Sequence, residues 1–376
     1  MANDRYQENK AFLSEQIITY IGNKRSLLTF IDNAVHIVLS ELKKDKIDTF
    51  DVFSGSGIVS RFFKQYSNSL YVNDLEDYCK TINKCYLMNY SEFSQEKLNV
   101  WFNWLNSKLG NKQLRNDGFI YKLYAPQNDN TIKEGERVFF TTRNAKFIDT
   151  ARWYLNKIPE PYKTLLLGPL IFEASTKNNT SGVFKGFYKN SNTNIGQFGG
   201  NGKNALQRIL ADIEIKKPVI SNYECDVFIY QGNSNDICKN IPHVDLAYVD
   251  PPYNQHPYSS NYFMLNLINN YREPKDISIV SGIPSDWNKS MYNKKKSSLE
   301  ALYDLCSNLN AEYILISYNS DGFIKYDDMI NMLNEFGNVR VFDRNYNVFR
   351  ACRNLHERDI HVTEYLFLLH KGGNKC

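Results

Sequence analysis

A strand, a glycine turn, a helix and a second strand follow one another early in the chain, and this order limits the possible folds. Lys46–Phe53 predicts a buried strand, Ser54–Gly57 a tight turn and Ile58–Tyr66 a helix. A second strand is predicted at Ser69–Asn73 and a second helix at Glu76–Tyr90. Strands that are joined through a helix lie parallel in one sheet, because the connection crosses over a face of the sheet. The sequence therefore predicts an α/β fold.

The same alternation returns in the second half of the chain. Five further strands are predicted, at Cys225–Tyr230, Val244–Val249, Glu312–Ser317, Val339–Phe342 and Thr363–His370. The last two are predicted to pair antiparallel, which gives a mostly parallel sheet with a C-terminal antiparallel strand. Between residues 91 and 220 the alternation is broken, and only scattered helices are predicted there. We therefore expect one sheet domain formed by residues 1–90 and 221–376, with an inserted module at residues 91–220.

Composition excludes several classes of protein. Of the 376 residues, 42% are hydrophobic and 23% are charged, so the chain can bury a core. The net charge of +4 is too small to identify a nucleic-acid-binding protein, so any basic surface must be local. The seven cysteines form no C-x-x-C pair and the six histidines show no ligand spacing, so neither a disulfide framework nor a metal site is expected.

The sequence also predicts where the protein works. Met1–Lys10 is polar and lacks the apolar segment of a signal peptide. The chain has no run of about 18 apolar residues that would cross a membrane. We therefore expect a soluble, cytoplasmic protein with no membrane partner.

Asp250-Pro-Pro-Tyr253 is the most informative local motif. It directly follows the predicted strand Val244–Val249, so it lies at the carboxyl edge of the sheet, where α/β proteins bind ligands. Two prolines fix the backbone and remove two N–H donors. The Asp250 carboxylate and the Pro251 carbonyl can accept both hydrogens of one exocyclic amine, and Tyr253 offers a flat face to a base. The alternative is a proline-rich turn in which Asp250 is only a cap.

The motif Asp51-Val-Phe-Ser-Gly-Ser-Gly57 and the later Asp74 indicate a nucleoside site. The glycines let the backbone turn sharply and approach a ligand. The motif is not the dinucleotide pattern G-x-G-x-x-G, because Ser60 stands at the third position, and it lacks the P-loop Gly-Lys-Ser/Thr. Asp74, at the end of the second strand, can bind both hydroxyls of a ribose. The alternatives are an ordinary tight turn and an Asp74 that caps the helix near Glu76.

Two groups of cations indicate anionic ligands. Lys24 lies in Thr19–Arg25 at the predicted start of a helix, where the helix dipole disfavours a cation unless an anion is nearby. Thr176–Arg208 combines lysines, aromatic rings and six glycines with no acidic residue, which suits contact with phosphates and bases. The alternatives are a solvated lysine and a mobile surface loop. Another lysine run, Lys289–Lys296, is predicted to be only solvated.

Together these motifs resemble the D12 class of DNA N6-adenine methyltransferases, the family of the Dam-type enzymes. The resemblance covers most of the chain, from Tyr20 to about His370. The motifs stand in the family's order: Tyr20-Ile-Gly-Asn-Lys24, Asp51-Val-Phe-Ser-Gly-Ser-Gly57, Asn73-Asp74 and Asp250-Pro-Pro-Tyr253, then Ser317-Tyr-Asn319 and the closing strand Glu364–Leu369. The resemblance implies a Rossmann-like methyltransferase sheet, S-adenosylmethionine as cofactor and double-stranded DNA as substrate.

The resemblance also implies roles for individual residues. The cofactor would be bound by Tyr20, Lys24, Asp51, Phe53, Gly55, Gly57, Asp74, Asn233 and Asp250, with Asn233 at a position where the family usually has Asp. The catalytic residues would be Asp250, Pro251, Pro252 and Tyr253. The inserted module would recognise the DNA target, and the predicted DNA contacts are Lys177, Lys185, Lys189, Lys203 and Tyr258. A restriction endonuclease is a further expected partner.

The predicted reaction is site-specific methylation of N6 of an adenine that is flipped out of duplex DNA. Cytosine-N4 methylation is an alternative with the same chemistry, although related cytosine enzymes often have Ser where this chain has Asp250. A DNA-binding module that has lost catalysis is a second alternative, against which the intact Lys24, Asp74 and Tyr253 speak. An unrelated nucleotide-binding enzyme is a third, weakened by the missing dinucleotide and P-loop signatures.

Overall fold

The protein forms two compact units. Its computed structural model describes residues 7–110, 114–203, 205–347 and 361–372. The helical unit contains the described residues up to Gly22, together with Thr81–Asn222 and Tyr258–Trp287. The sheet unit contains Asn23–Lys80, Tyr223–Pro257 and the described residues from Asn288 onward.

The sheet unit is built on seven strands. These are β1 (Ile47–Asp51), β2 (Ser67–Asp74), β3 (Asp226–Gln231), β4 (Val244–Val249), β5 (Ala311–Asn319), β6 (Gly337–Asn347) and β7 (His361–Lys371). Their order in the sheet is β3-β2-β1-β4-β5-β7-β6. Strand β7 runs antiparallel to both β5 and β6, and all other neighbours are parallel. The prediction of a mostly parallel sheet with a C-terminal antiparallel strand is confirmed.

The helices of the described residues follow one another along the chain. They are α1 (Leu28–Leu42), α2 (Ile58–Phe63), α3 (Asp77–Tyr86), α4 (Gln95–Gly110), α5 (Phe119–Tyr124), α6 (Thr142–Leu155), α7 (Tyr162–Thr176), α8 (Leu206–Leu210), α9 (Ser234–Ile237), α10 (Tyr258–Asn261), α11 (Phe263–Asn270), α12 (Ser298–Asn308) and α13 (Tyr326–Asn334). Helices α4–α8, α10 and α11 belong to the helical unit, and α3 runs from the sheet unit into it. In the part of the chain that the structure describes, no helix is long and apolar enough to span a membrane.

The core of the sheet unit lies against its central strands. All six residues of β4 are buried, as expected for a parallel strand that is covered on both faces. Phe50 of β1 and Val52, just after it, pack with Val249, Ile316 and Phe367 in one apolar cluster. This packing fixes the strand ends that carry the candidate residues.

The region around Lys24 differs from the prediction of a continuous helix. Arg25–Leu27 is a single 3-10 turn, and the α-helix begins only at Leu28. The helix ends at Leu42, and the next residue, Lys43, has a left-handed φ of 56° that closes the last turn. Lys24 therefore precedes the helix and is 5% exposed.

The order of strands reverses between β1 and β4. The chain builds β1, β2 and β3 outward in one direction, then returns to place β4 and β5 on the other side of β1. Crevices at such a reversal, beyond the carboxyl ends of the strands, are where open α/β sheets bind ligands. The segments after β1 and β4 are the glycine turn and the Asp250 motif, so the fold places both at this edge.

Candidate active site

The glycine turn after β1 is fixed against the end of β2. The backbone N–H of Ser54 donates to the carbonyl of Asn73 at 2.9 Å. The N–H of Gly55 donates to Oδ2 of Asp74 at 2.7 Å. Gly55 and Gly57 have φ values of 50° and 76°, a region that favours glycine over other residues. Hydrogen bonds to Asn73 and Asp74 thus fix the backbone conformation of the glycine turn.

Asp74 combines a structural role with a place at the site. Its second carboxylate oxygen, Oδ1, accepts a hydrogen bond from the N–H of Glu76 at 2.9 Å, just before α3 begins. Asp74 therefore caps the start of α3. The predicted ribose contact is still compatible with this role, because each carboxylate oxygen can accept more than one hydrogen bond. Burial raises the pKa of the Asp74 carboxyl, against the lowering effect of these backbone N–H donors.

The Asp250 motif forms a rigid corner after β4. Pro251 is buried, and the carbonyl of Tyr253 accepts a hydrogen bond from the N–H of Phe323 at 3.1 Å. The ring of Tyr253 meets that of Tyr318 edge-on, with centroids 6.2 Å apart. Tyr253 is thereby held against the end of β5 and the segment that follows it.

Lys24 lies between two carboxylates. Its Nζ is 3.3 Å from Oδ1 of Asp250 and 2.6 Å from Oε1 of Glu364 on β7. The same Glu364 oxygen accepts a hydrogen bond from the Ser317 hydroxyl at 2.8 Å. The side chains of Lys24 and Glu364 are 6% and 5% exposed, whereas that of Asp250 is 19% exposed. Asp250 is thus the member of this group that is most open to a ligand.

The environment shifts the protonation of this group. Burial raises the pKa of the Asp250 carboxyl to about 7; the ammonium of Lys24 opposes this shift and the charge of Glu364 adds to it. Burial alone would lower the pKa of Lys24, but Asp250 and Glu364 raise it well above its ordinary value. Lys24 therefore stays charged, while Asp250 exchanges a proton near neutral pH.

Asp51 lies beneath the glycine turn at the end of β1. It is fully buried, and its Oδ2 accepts a hydrogen bond from the Ser60 hydroxyl at 2.5 Å. Burial raises the pKa of its carboxyl to about 7, with smaller contributions from the nearby Asp250 and Asp74. These interactions place three acidic groups at the carboxyl ends of β1, β2 and β4.

Two further predicted cofactor residues lie at neighbouring strand ends. Phe53 is partly buried and contacts Tyr292 edge-on at 5.1 Å between centroids. Asn233 is exposed just beyond β3, and its side chain caps α9 by accepting from the N–H of Asn235. Asn73 on β2 links the residues that follow β1 and β3, because its amide donates to the carbonyls of Val52 and Gly232 at 3.2 Å each. The cofactor roles of Phe53 and Asn233 stay predictions.

Tyr20 and Tyr258 meet within the helical unit. Their rings stack at 4.8 Å between centroids, and Tyr20 also stacks on Tyr262 at 4.7 Å. The hydroxyl of Tyr258 donates to the carbonyl of Ile21. The structure thus brings together a predicted cofactor residue and a predicted DNA contact, and both roles remain predictions.

The basic segment Thr176–Arg208 is organised around buried Asn179. The amide of Asn179 donates to the carbonyls of Val138 and Gln197 at 2.8 Å each. Lys177 is paired with Glu173 at 2.6 Å, so its charge is partly neutralised. Exposed lysines of this segment are therefore better placed for DNA than Lys177.

Three lysines of the segment lie further along the chain. Lys185 and Lys203 are exposed, and the ammonium of Lys189 lies 5.4 Å from the centroid of the Phe187 ring. Positive charge close to an aromatic ring suits binding of phosphates beside stacked bases. Their DNA-binding roles stay predictions.

Sequence reasoning did not assign a role to Glu364. The only local signal was an acidic residue at the start of an otherwise apolar strand, Glu364–Leu369. Its partner Lys24 lies 340 residues away along the chain, so no spacing rule connects the two. Ser317, which completes the group, was noticed only as a polar residue at a strand end.

The site residues fit a nucleoside cofactor with a positive charge. Three buried oxygens near the carboxyl edge have no hydrogen-bond partner within the described ranges: Asp51 Oδ1, Asn73 Oδ1 and Asn319 Oδ1. The ionised Lys24, Asp250 and Glu364 together carry one more negative than positive charge. Open acceptors and a surplus negative charge are the chemistry that a sulfonium nucleoside requires.

Comparison with known proteins agrees with this geometry. The family model for D12 class N6 adenine-specific DNA methyltransferase matches residues 20–332. The chain is 28% identical to the Type II methyltransferase M.CviAII of Paramecium bursaria Chlorella virus 1, over 94% of this chain and 98% of that protein. It is 27% identical to M.NlaIII of Neisseria lactamica, over 94% and 99%. It is 26% identical to M.FokI of Planomicrobium okeanokoites, over 94% of this chain but 52% of that protein.

The matched region contains the glycine turn, Lys24 and the Asp250 motif, which the fold places in one unit. The family acts on N6 of adenine, which favours adenine methylation over the cytosine-N4 alternative and over a module without catalysis. This chain belongs to the D12 class of N6 adenine-specific DNA methyltransferases.

Proposed function

We propose that this chain transfers a methyl group from S-adenosylmethionine to N6 of one adenine within a specific sequence of duplex DNA. The observation that carries the proposal is the Lys24–Asp250 pair, 3.3 Å apart at the carboxyl edge of the sheet. It supplies a partly exposed acceptor next to the glycine turn that would hold the cofactor. Double-stranded DNA is thus the proposed substrate.

The Asp250 corner would activate the target amine. The N6 lone pair of adenine is delocalised into the ring, so the amine is a weak nucleophile. Hydrogen bonds from its two hydrogens to the Asp250 carboxylate and the Pro251 carbonyl would return electron density to N6. Pro251 and Pro252 fix these acceptors in advance, so they need not reorganise during the reaction. Tyr253 would stack on the extruded base.

Asp250 also suits the proton that the amine must lose. N6 begins with two hydrogens and ends with one hydrogen and one methyl group, so one proton leaves for each methyl group gained. A carboxylate with a pKa of about 7 can accept this proton and release it to water. Because Asp250 must be ionised to accept hydrogen bonds, activity should rise as the pH rises through about 7.

The cofactor would be bound around the glycine turn. S-adenosylmethionine supplies a methyl group on a positively charged sulfur. We assign its binding to Tyr20, Lys24, Asp51, Phe53, Gly55, Gly57, Asp74, Asn233 and Asp250. The hydrogen bond between Gly55 and Asp74 supports this assignment, because it fixes the turn beside a carboxylate suited to a ribose.

Target recognition is proposed for residues 91–220, with residues 1–90 and 221–376 as the catalytic domain. A base inside a duplex cannot reach a pocket in a sheet, so the adenine must be flipped out. Lys177, Lys185, Lys189, Lys203 and Tyr258 are the proposed DNA contacts. The absence of acidic residues from Thr176–Arg208 supports this role.

A role in restriction–modification is proposed from the relatives. M.CviAII and M.NlaIII are named Type II methyltransferases, and the alignment covers nearly all of each protein. We infer that this chain protects DNA from a cognate restriction endonuclease.

Expression in bacteria that lack adenine methylation tests the proposed function. Genomic DNA from cells with the wild-type protein should contain N6-methyladenine at one sequence, detected by nucleoside analysis and modification-sensitive sequencing. DNA from cells with Asp250→Ala should not. Asp245→Asn is the matched control, because Asp245 is also buried and paired with a lysine, but near the opposite end of β4. N4-methylcytosine, or unmodified DNA from cells with soluble wild-type protein, would contradict the proposal.

A further inference from the structure

Lys24 is bound more closely to Glu364 than to Asp250. The ammonium lies 2.6 Å from Glu364 and 3.3 Å from Asp250, and both distances are to single carboxylate oxygens. Glu364 is itself fixed by the hydroxyl of Ser317. The shortest and most deeply buried contact of Lys24 is therefore made by the residue without an assigned role.

Among the residues that the structure describes, no buried partner neutralises the extra negative charge of this group. One ammonium faces two carboxylates, and burying an extra carboxylate is costly unless it is paired or used. A single Lys24–Asp250 pair would satisfy both charges without Glu364. Because β7 pairs with β5 and places Glu364 opposite Asn319, the closing antiparallel strand brings this second acid to the carboxyl edge.

We propose that Glu364 is a positioning residue for methyl transfer: it binds Lys24 more closely than Asp250 does and so keeps Lys24 from pairing more tightly with Asp250, which leaves Asp250 acceptor capacity for the target amine. This inference rests on the proposed function of Asp250. Glu364 need not touch the DNA or the cofactor, because it acts through Lys24.

The charge of Glu364 has two effects on Asp250. It competes for Lys24, which would otherwise form a tight pair with Asp250 and occupy its acceptor oxygen. It also repels the Asp250 carboxylate directly, which strengthens the affinity of Asp250 for protons. Tyr248 and Tyr253 also act on Lys24, and Glu364 raises the pKa of both tyrosines, while Asp250 raises the pKa of the neighbouring Asp51.

Glu364→Gln removes the charge while keeping the shape and an oxygen for Ser317 and Lys24. Lys24 should then move toward Asp250. The titration midpoint of Asp250 should fall by about one pH unit, because it loses a repulsion and gains a closer cation. Carbon-13 NMR of the labelled aspartate carboxyls, assigned with Asp250→Asn, measures this midpoint in the protein alone.

Glu364→Gln should also change the kinetics of methyl transfer. The turnover number of Glu364→Gln should fall at least about tenfold, because the acceptor is occupied by Lys24. The acidic limb of its pH profile should move to lower pH with the midpoint. The dissociation constant for DNA should stay within about twofold of the wild type, whereas that for S-adenosylmethionine should increase, because the variant lacks the surplus negative charge beside the sulfonium.

Two further variants keep the test decisive. Glu364→Asp keeps the charge but moves it farther from Lys24, because its side chain is one methylene shorter. The titration midpoint of Asp250 should therefore shift in the same direction as in Glu364→Gln, but by less. Glu364→Asp serves as the test if Glu364→Gln does not fold. Glu41→Gln is the control, because Glu41 forms a pair with Arg340 in the same unit but at the surface. It should leave midpoint and turnover unchanged.

An unchanged Asp250 midpoint in the folded Glu364 variants would overturn the inference, and a lower thermal stability alone would then show a purely structural role. If the wild-type protein did not methylate adenine, the proposed function would fail. The NMR titration would still show separately whether Glu364 controls Asp250.

Discussion

The carboxyl group of Asp51 is fully buried, and burial raises its pKa to about 7. Between pH 4 and pH 7 the folded protein therefore holds a proton that the unfolded chain, with an ordinary aspartate, has already released. Because the folded state binds more protons in this range, the free energy of unfolding decreases as the pH rises. Asp51 thus lowers stability at neutral and alkaline pH, which is the reverse of the usual effect of an aspartate in an ion pair.

Asp51→Asn should remove this contribution. The amide keeps an oxygen for the Ser60 hydroxyl but does not titrate. The variant's free energy of unfolding, relative to that of the wild type, should be higher at pH 8 than at pH 5 by on the order of 2 kcal/mol. Urea unfolding at both pH values measures the difference. A constant difference between variant and wild type at the two pH values would show that Asp51 is not protonated in the folded protein.

At the residue scale, the sequence predicted those candidate residues that stand in local motifs. Asp250, Pro251 and Tyr253 follow a buried strand, so one short segment contains both the acid and its rigid support. Glu364 could not be predicted in the same way, because its role depends on a contact with Lys24 that exists only after β7 has joined the sheet.

At the scale of single elements, the start of α5 shows how the helical unit is held together. The helix begins after Gly118, which offers no side-chain cap. Instead Asp149 accepts hydrogen bonds from the N–H groups of Ile120 and Tyr121 and from the hydroxyl of Tyr271. A Cβ at position 118 would lie 2.1 Å from the Asp149 carboxyl carbon, so glycine is required for this contact.

Asp149→Ala should therefore destabilise the protein by about 2–3 kcal/mol, because it leaves buried donors without a partner. Urea unfolding at pH 8 measures this loss, since the pKa of Asp149 is raised to about 6 by burial and the group is then ionised. Asp117→Ala removes an exposed pair with Arg115 and should cost less than about 0.5 kcal/mol. Equal losses in the two variants would exclude this capping role.

The strands were predicted better than the helices of the insert. Strands buried on both faces are continuous apolar runs between polar turns, so β4 and β5 are visible in the sequence. Helix α7 was missed because Gly168 and Pro169 stand in its middle and usually interrupt helices. The structure explains the glycine. A Cβ at position 168 would lie 2.6 Å from the sulfur of Cys85, so the close contact between α7 and Cys85 requires glycine here.

At the scale of the whole molecule, we expect DNA binding to depend on a few local cations, because the net charge is only +4. Replacing Lys185 and Lys189 by Gln should weaken DNA binding and lower the slope of log affinity against log salt by about 2. Cofactor affinity should not change. Fluorescence anisotropy at several salt concentrations measures the slope.

The matched control is a double replacement of Lys295 and Lys296, two exposed lysines of the run that is predicted to be only solvated. It should leave the salt slope unchanged. If both double variants gave the wild-type slope, the segment Thr176–Arg208 would not contact DNA phosphates.

The family and the course of the sheet were predictable because the motifs keep their order along the chain. The path of Tyr258–Trp287 could not be predicted, since this segment begins only five residues after Tyr253 but folds with the helical unit. No local sequence pattern predicts that a segment rejoins an earlier unit, because this depends on which apolar surfaces pack together. Target recognition by residues 91–220 and catalysis by the rest of the chain stay predictions.

The most direct test of the account is single-turnover transfer of a tritiated methyl group to unmethylated genomic DNA by purified wild-type protein and Asp250→Ala. The wild type should label N6 of adenine, and the variant should be slower by about a hundredfold or more, with DNA affinity within about threefold of the wild type. A variant that labels adenine at the wild-type rate would contradict the claim that Asp250 activates the target amine.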